Sequence, residues 1–171
     1  MITYREPVPA DAEGITRVLR ESWAVTYSQW LTPEWFEAST DAWADSWRAT
    51  LERAQQRRAA GEPDPARRWI ALDGDLIIGV SNSGRSAVHG AFEPAREVLL
   101  GILYVDEEYH GTGVGSKLLE LALPDGAPAE LWVADPNPRA QAFYRRHGFE
   151  PDGARQINER LANTPELRMV R

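Results

Sequence analysis

The 171-residue sequence predicts an α/β domain of the α+β type, built on a mixed, mostly antiparallel sheet. Three observations predict it. The nearly continuous apolar run "EVLLGILYV" reads as a strand buried on both faces, and "AELWVAD" reads as a second. Between them "YHGTGVGSKLLE" passes from glycines straight into a helical pattern, so the three segments make a β-α-β unit expected to be parallel with a right-handed crossover. Upstream, "RWIALDGDLIIGVSNSG" carries two β-rich runs about Asp73-Gly74, a two-residue hairpin signal that makes the first part antiparallel.

The other elements follow in order. "ITYR" (Ile2–Arg5) alternates and is short, so it reads as a strand broken by Pro7 and Pro9. Ile15, Val18, Leu19 and Trp23 fall at helical spacing, which predicts a helix from an Asp11 N-cap to about Tyr27. Thr32 as N-cap and Pro33 at the first helical position open a second helical segment. It resumes after a break near Ser39–Asp41, with Trp43, Trp47 and Leu51 on one face. "AAGEPDPARR" is a loop, as is the polar stretch "GRSAVHGAFEPAR". "PDGAP" stops the helix that follows the glycines. "PNPRAQAFYRRHG" is a helix with Asn137 as N-cap, Pro138 first inside and Gly148 just past the end. "FEPDG" and "PELRMVR" close the chain as strands. The order β-α-α-β-β-β-α-β-α-β-β gives a sheet of about six or seven strands around a central parallel pair, flanked by about four helices. No linker or repeat divides residues 1–171, so one domain is expected.

Composition narrows the function. A net charge of -7 without a basic stripe argues against duplex nucleic acid, whose phosphates need clustered Lys or Arg. Without cysteine, disulfides, thiolate catalysis and Cys-ligated metals are excluded, and no metal site is expected. No apolar run approaches the roughly 20 residues that span a bilayer, so no membrane partner is expected. The opening "MITYREPVPADAEG" has no basic region leading into an apolar one, and the cytoplasm is the expected compartment.

The glycines pose the central chemical question. A helix N-terminus carries unpaired N–H groups and the positive end of the helix dipole. Glycines there remove the Cβ atoms that would hold a bulky anion away, so the segment fits a diphosphate. A plain strand-to-helix turn is the bland alternative, but one glycine would suffice for it. The P-loop pattern fails because Leu118, not Ser or Thr, follows Lys117. A dinucleotide fingerprint is weak because a two-helix segment and a hairpin precede the unit.

"LYVDEEYHGTGVGSKLLELAL" resembles the acyl-CoA signature of the GNAT superfamily of N-acyltransferases, a buried strand followed by Q/R-x-x-G-x-G/A at a helix start. Gly113, Val114 and Gly115 match the G-x-G part, whereas His110 stands at the Q/R position. "NPRAQAFYRRHGF" is similar to a second family block at Asn137, Ala140, Phe143, Tyr144, Gly148 and Phe149. The resemblance covers nearly the whole chain in element order and implies a GNAT-like fold. It also implies direct transfer of an acetyl group from acetyl-CoA to a primary amine of a small molecule or peptide, in a ternary complex. A non-catalytic acyl-CoA-binding module is the alternative, and family members are often homodimers.

The implied roles divide along the chain. Backbone groups of Leu103, Tyr104 and Val105 would pair with the pantetheine arm, and a bulge is common in this strand. N–H groups of Gly111, Thr112, Gly113, Val114, Gly115 and Ser116 would hold the pyrophosphate, with His110 beside them. Asn137 would touch CoA as well as cap its helix. Tyr144 would donate a proton to the departing thiolate; without the motif, a Tyr beside Phe143 reads as core. Relatives often carry a Glu near the position of Leu99. Glu97, two residues earlier on the same strand face, is the candidate base, although an exposed strand-start carboxylate is the plainer reading. His89, Glu93 or a water chain are the other routes. Six tryptophans lie between Trp23 and Trp69. Core packing explains them, and Tyr27, Trp30 and Trp35 are the candidates to line an acceptor pocket for a cationic or apolar amine.

Overall fold

A computed structural model describes the backbone at residues 1–161 and 163–171, with side chains at all of these except 33, 36–41 and 160. In chain order the elements are β1 (Ile2–Arg5), α1 (Ala12–Thr26), α2 (Pro33–Ala59), β2 (Arg67–Asp73), β3 (Leu76–Arg85), β4 (Val98–Val105), α3 (Val114–Ala122), β5 (Glu130–Ala134), α4 (Pro138–Arg146), β6 (Glu150–Asn158) and β7 (Thr164–Val170). The order is the expected one, with three local differences. Asp11 does not cap α1: its carboxylate takes both guanidinium nitrogens of Arg5, at 2.6 and 2.8 Å, and the Val8 N–H at 2.7 Å. An ion pair with bidentate geometry outcompetes a single capping bond. The expected break near Ser39–Asp41 is absent, and α2 runs through it. Nothing in "STDAW" forces a stop: it holds neither Gly nor Pro, and the Trp43–Trp47–Leu51 face packs on the sheet core. The hairpin turn is Gly74-Asp75, one residue later than the Asp73-Gly74 signal, with Gly74 at φ +61°.

The sheet order is β1-β2-β3-β4-β5-β7-β6. Every neighbouring pair is antiparallel except β4–β5, which is parallel and joined at the single register point Leu99↔Glu130. Glu130 is buried there, and its carboxylate accepts the N–H groups of Ala95 and Arg96 at 2.5 and 3.0 Å. That contact holds the chain leading into β4 against β5. Beyond it the two strands part.

A bulge sits in β4, because Asn82 opposes Ile102 while Ser83 opposes Leu100, leaving Gly101 without a partner. The bulge shifts the alternation by one residue. Leu100 and Leu103 therefore both pack with Leu119 and Phe143 on the α3/α4 face, while Ile102 and Tyr104 pack with Ile15 and Val18 on the α1/α2 face. Only Leu100 of β4 is fully buried, and Gly101 is exposed. The expectation of a strand buried on both faces thus fails beyond Leu100, because one edge of β4 opens into the gap left by β5. Seryl hydroxyls key α3 to β3: Ser81 donates to the Leu118 carbonyl at 3.2 Å and Ser83 to that of Ala122 at 2.8 Å. Among the described residues no helix is long and apolar enough to cross a membrane.

Phe149 is the largest of the fully buried side chains, lying edge-on to Tyr144 with the Arg171 guanidinium 4.7 Å from its ring centre. Phe149→Ala should cost about 3–5 kcal/mol of folding stability. Urea denaturation would read this as a lower midpoint, and a change below about 1 kcal/mol would contradict the packing described.

Candidate active site

The parting of β4 and β5 opens a cleft of about 660 Å³. One wall is the β4 segment Leu103–Val105, and a second is the loop from His110 into the start of α3. α4 closes the third side with Asn137, Arg139, Ala140, Phe143 and Tyr144.

The glycine loop has the conformation that its composition requires. Gly111 and Gly113 sit at φ +78° and +93°, in the left-handed region, and a Cβ on either would meet nothing within 4 Å. Open space beside a helix start is what a bulky anion needs. Gly113 flanks α3 with no side-chain cap, so among the described residues the first-turn N–H groups of Val114, Gly115 and Ser116 have no partner, and Gly115 and Ser116 line the cleft. The remaining loop positions have structural duties. Thr112 Oγ1 donates to the Tyr109 carbonyl at 2.7 Å, and the Val114 side chain is buried with Leu118. Ser116 donates to His147 Nε2 at 3.0 Å, while His147 Nδ1–H donates to the Phe143 carbonyl at 2.8 Å. That relay ties the start of α3 to the end of α4.

His110 makes two bonds whose direction chemistry dictates. A carbonyl can only accept, so Nε2–H donates to the Val105 oxygen at 2.9 Å. A guanidinium can only donate, so Nδ1 accepts from Arg139 Nη1 at 2.7 Å. His110 is therefore neutral in this arrangement, and it links the end of β4 to α4. Asn137 caps α4, accepting the Ala140 N–H at 3.1 Å, and also lines the cleft.

Tyr144 projects from α4 into the cleft between Phe143 and Phe149. Its hydroxyl has no hydrogen-bond partner among the described residues. Burial, with the Tyr27 phenol nearby, pushes its pKa far above the ordinary phenol value. Tyr104, on β4, shares a 3.2 Å hydroxyl contact with Tyr27 of the α1–α2 connection. Burial raises both of these phenols as well, that of Tyr104 furthest.

The remaining candidates lie elsewhere. Glu97 stands exposed just before β4 and lines a separate cleft with Arg67, Arg85 and Arg96 at the other end of the strand. At about 3.3 Å per residue, it is roughly 20 Å along the strand from Tyr104. It cannot act on a group beside Tyr144, and matching strand faces could not reveal that separation. Tyr27, Trp30 and Trp35 do not line the cleft: they pack together with Leu31, Ala134 and Leu161 behind Tyr104. Two side chains of the site went unread in the sequence, where Tyr104 had only a backbone role. The Tyr104 side chain was overlooked because the bulge aims it at Tyr27. Arg139 carried a legible signal, a cation in the first turn of a helix.

A family model for the GNAT acetyltransferase domain matches residues 64–151, which include β4, the glycine loop and α4. N-acetyltransferases of Mycobacterium tuberculosis and Mycobacterium bovis are 35% identical over 81 residues, a match covering 44% of this chain and 52% of theirs. The chain thus spans about half the length of the curated relatives it matches. Among solved structures, PaiA N-acetyltransferase from Thermoplasma acidophilum in complex with coenzyme A superposes with a TM-score of 0.69 at 20% identity, over 98% of both chains. A histone acetyltransferase HPA2 and related acetyltransferase from Corynebacterium glutamicum gives 0.62 at 26% identity, over 99% of this chain and 94% of that one. These structures share the overall fold, and by the family match the chain belongs to the GNAT acetyltransferase family.

The raised Tyr144 phenol can be read directly. In an alkaline titration followed by phenolate absorbance, Tyr144→Phe should delete one tyrosine from the late-ionising set and leave the early part of the curve intact. Loss of an early-ionising tyrosine instead would contradict the buried setting.

Proposed function

We propose that the protein transfers the acetyl group of acetyl-CoA to a primary amine of a small molecule or peptide, both substrates being bound together. The observation that carries this reading is the Tyr144 hydroxyl, without a hydrogen-bond partner among the described residues, in one cleft with the parted edge of β4 and the glycine-led start of α3. The cleft fits the cosubstrate: Gly111 and Gly113 leave open the space that side chains would fill, and the first-turn N–H groups of α3 suit a pyrophosphate. The parted edge of β4 at Leu103–Val105 offers backbone groups to the amide-containing arm.

In this reading the neutral amine attacks the thioester carbonyl, the C–S bond breaks, and Tyr144 passes its proton to the departing thiolate. A phenol held neutral by burial is suited to donating rather than to acting as a base. The proton shed by the nitrogen leaves through water at the cleft mouth. A cationic acceptor is favoured by Glu166, a buried carboxylate on β7 opposite Ala134. Its partners are Asn158, Gln156 and His89, with no Lys or Arg among the described residues. Its charge is felt at Tyr27, whose phenol it helps to raise.

The acyl-CoA-binding module remains the second reading, because the described residues of β4 present no carboxylate beside Tyr144. Mixing the protein with acetyl-CoA and a library of primary amines, and following thiol release, separates the two. Turnover with any amine supports transfer. Acetyl-CoA binding by calorimetry without turnover supports the module, and preferential binding of a nicotinamide dinucleotide overturns both.

Two variants refine the test. Tyr144→Phe should lower the turnover rate about 10²-fold or more while acetyl-CoA affinity stays within about twofold. An unchanged rate removes Tyr144 from the chemistry. Gly113→Val forces a β-branched residue to φ +93° and should weaken CoA binding at least about tenfold, as well as lowering the melting temperature. Unaltered affinity would contradict the cradle.

A further inference from the structure

Arg139 is out of place by the rules that govern helices. It is the second residue of α4, where the helix dipole disfavours a cation. Among the described residues it has no carboxylate partner. Its Nη1 donates instead to His110 Nδ1 at 2.7 Å, across the cleft mouth. The other cations of the cleft have ordinary explanations. Arg17 is held by Asp106 and Glu21 at 2.9 and 2.6 Å, and Arg146 lies in the last turn of α4, where the dipole favours it. A residue that breaks a local rule points to a functional site, and the bond to His110 is no substitute for the carboxylate an arginine usually takes.

The loop opposite explains what such a cation would be for. From Asp106 to Ser116 the chain reads "DEEYHGTGVGS", with three carboxylates and no Lys or Arg. Lys117, the next residue, pairs with Glu120 at 3.0 Å. A pyrophosphate held there would have backbone N–H groups but no positive side chain from the loop itself, and carboxylates close by.

We propose that Arg139, docked on Nδ1 of His110, is the cation that grips the pyrophosphate of the cosubstrate, supplying from α4 the charge that the glycine loop lacks. His110 is the positioning residue. Its Nε2–H is fixed on the Val105 carbonyl at 2.9 Å, so its Nδ1 lone pair points at α4 and presets the guanidinium. One Nη1–H goes to the imidazole, which leaves the rest of the planar fork for phosphate oxygens. Binding therefore need not break the Arg139–His110 bond, and the two cleft walls stay joined with the ligand in place.

This inference rests on the acetyl-CoA reading, and calorimetry with CoA and 3′-dephospho-CoA distinguishes the failure of either. Arg139→Ala should weaken both ligands by about tenfold and flatten the salt dependence of binding. Arg139→Lys should recover part of that loss. Adding His110→Arg to Arg139→Ala should restore affinity to within about threefold of the parent, because the charge is then returned to the loop. Restoration is a result that a merely structural arginine would not produce. Melting temperatures within a few degrees of the parent confirm that the variants are folded, and Arg139→Lys carries the test if the alanine variant is not. Equal affinity of Arg139→Ala and the parent overturns the inference. A loss confined to CoA, with 3′-dephospho-CoA unaffected, overturns the pyrophosphate assignment. A loss that neither Lys nor His110→Arg relieves makes Arg139 structural. A parent protein that binds neither ligand overturns the cosubstrate reading itself.

Discussion

The site depends on one constraint, the single register point at which β4 and β5 meet. Leu99 and Glu130 join the strands, and the buried Glu130 carboxylate clamps the N–H groups of Ala95 and Arg96 at the same place. Past that point β4 keeps its pairing with β3, and β5 turns to β7. Backbone groups on the facing edges are left without a ladder partner, and buried backbone groups must find one elsewhere. One is met at once, since the Val105 carbonyl takes the His110 imidazole. The Leu103–Val105 segment of that edge lines the cleft.

The Gly101 bulge makes the second half of β4 useful to both sides of that surface. By shifting the alternation, it turns Leu103 toward Phe143 and Tyr144 and Tyr104 toward Tyr27. The phenols of Tyr27, Tyr104 and Tyr144 are kept neutral by burial first; Tyr27 adds to the effect at Tyr104 and Tyr144, whereas at Tyr27 the bond to Tyr104 works against it and the Glu166 charge with it. The gap between the strands therefore carries the Tyr27 and Tyr104 hydroxyls on the α1/α2 face and the Tyr144 phenol on the α4 face. Helix starts supply the other half of the electrostatics. α3 offers bare N–H groups, and α4 carries an arginine against its own dipole.

The cleft was legible in sequence where its chemistry is backbone chemistry. Alternating glycines before an apolar helical pattern mean a left-handed turn with open sides, and Gly111 and Gly113 have that geometry. Asn137 with Pro138 after it means a capped helix, and the cap is made. Side-chain placement was harder. Glu97 shares a strand with the site but lies at the wrong end of it, because a face argument fixes parity and not distance along the strand. Tyr27, Trp30 and Trp35 read as an aromatic wall but cluster with Leu31, Ala134 and Leu161, because sequence proximity does not say which surface a ring packs on. Asp11 looked like a cap and became the partner of Arg5, which only the neighbouring β1 brings within reach.

By itself the sequence determined the element order, the central β-α-β unit and the glycine-led helix, since these follow from hydrophobic period, turn chemistry and the φ values that glycine alone adopts with ease. Only the tertiary structure decided where β4 and β5 part, that Gly101 is bulged, and that His110 and Arg139, twenty-nine residues apart, meet at 2.7 Å. Those are outcomes of strand pairing and helix docking between distant segments, and no local pattern encodes the distance between two walls of a cleft.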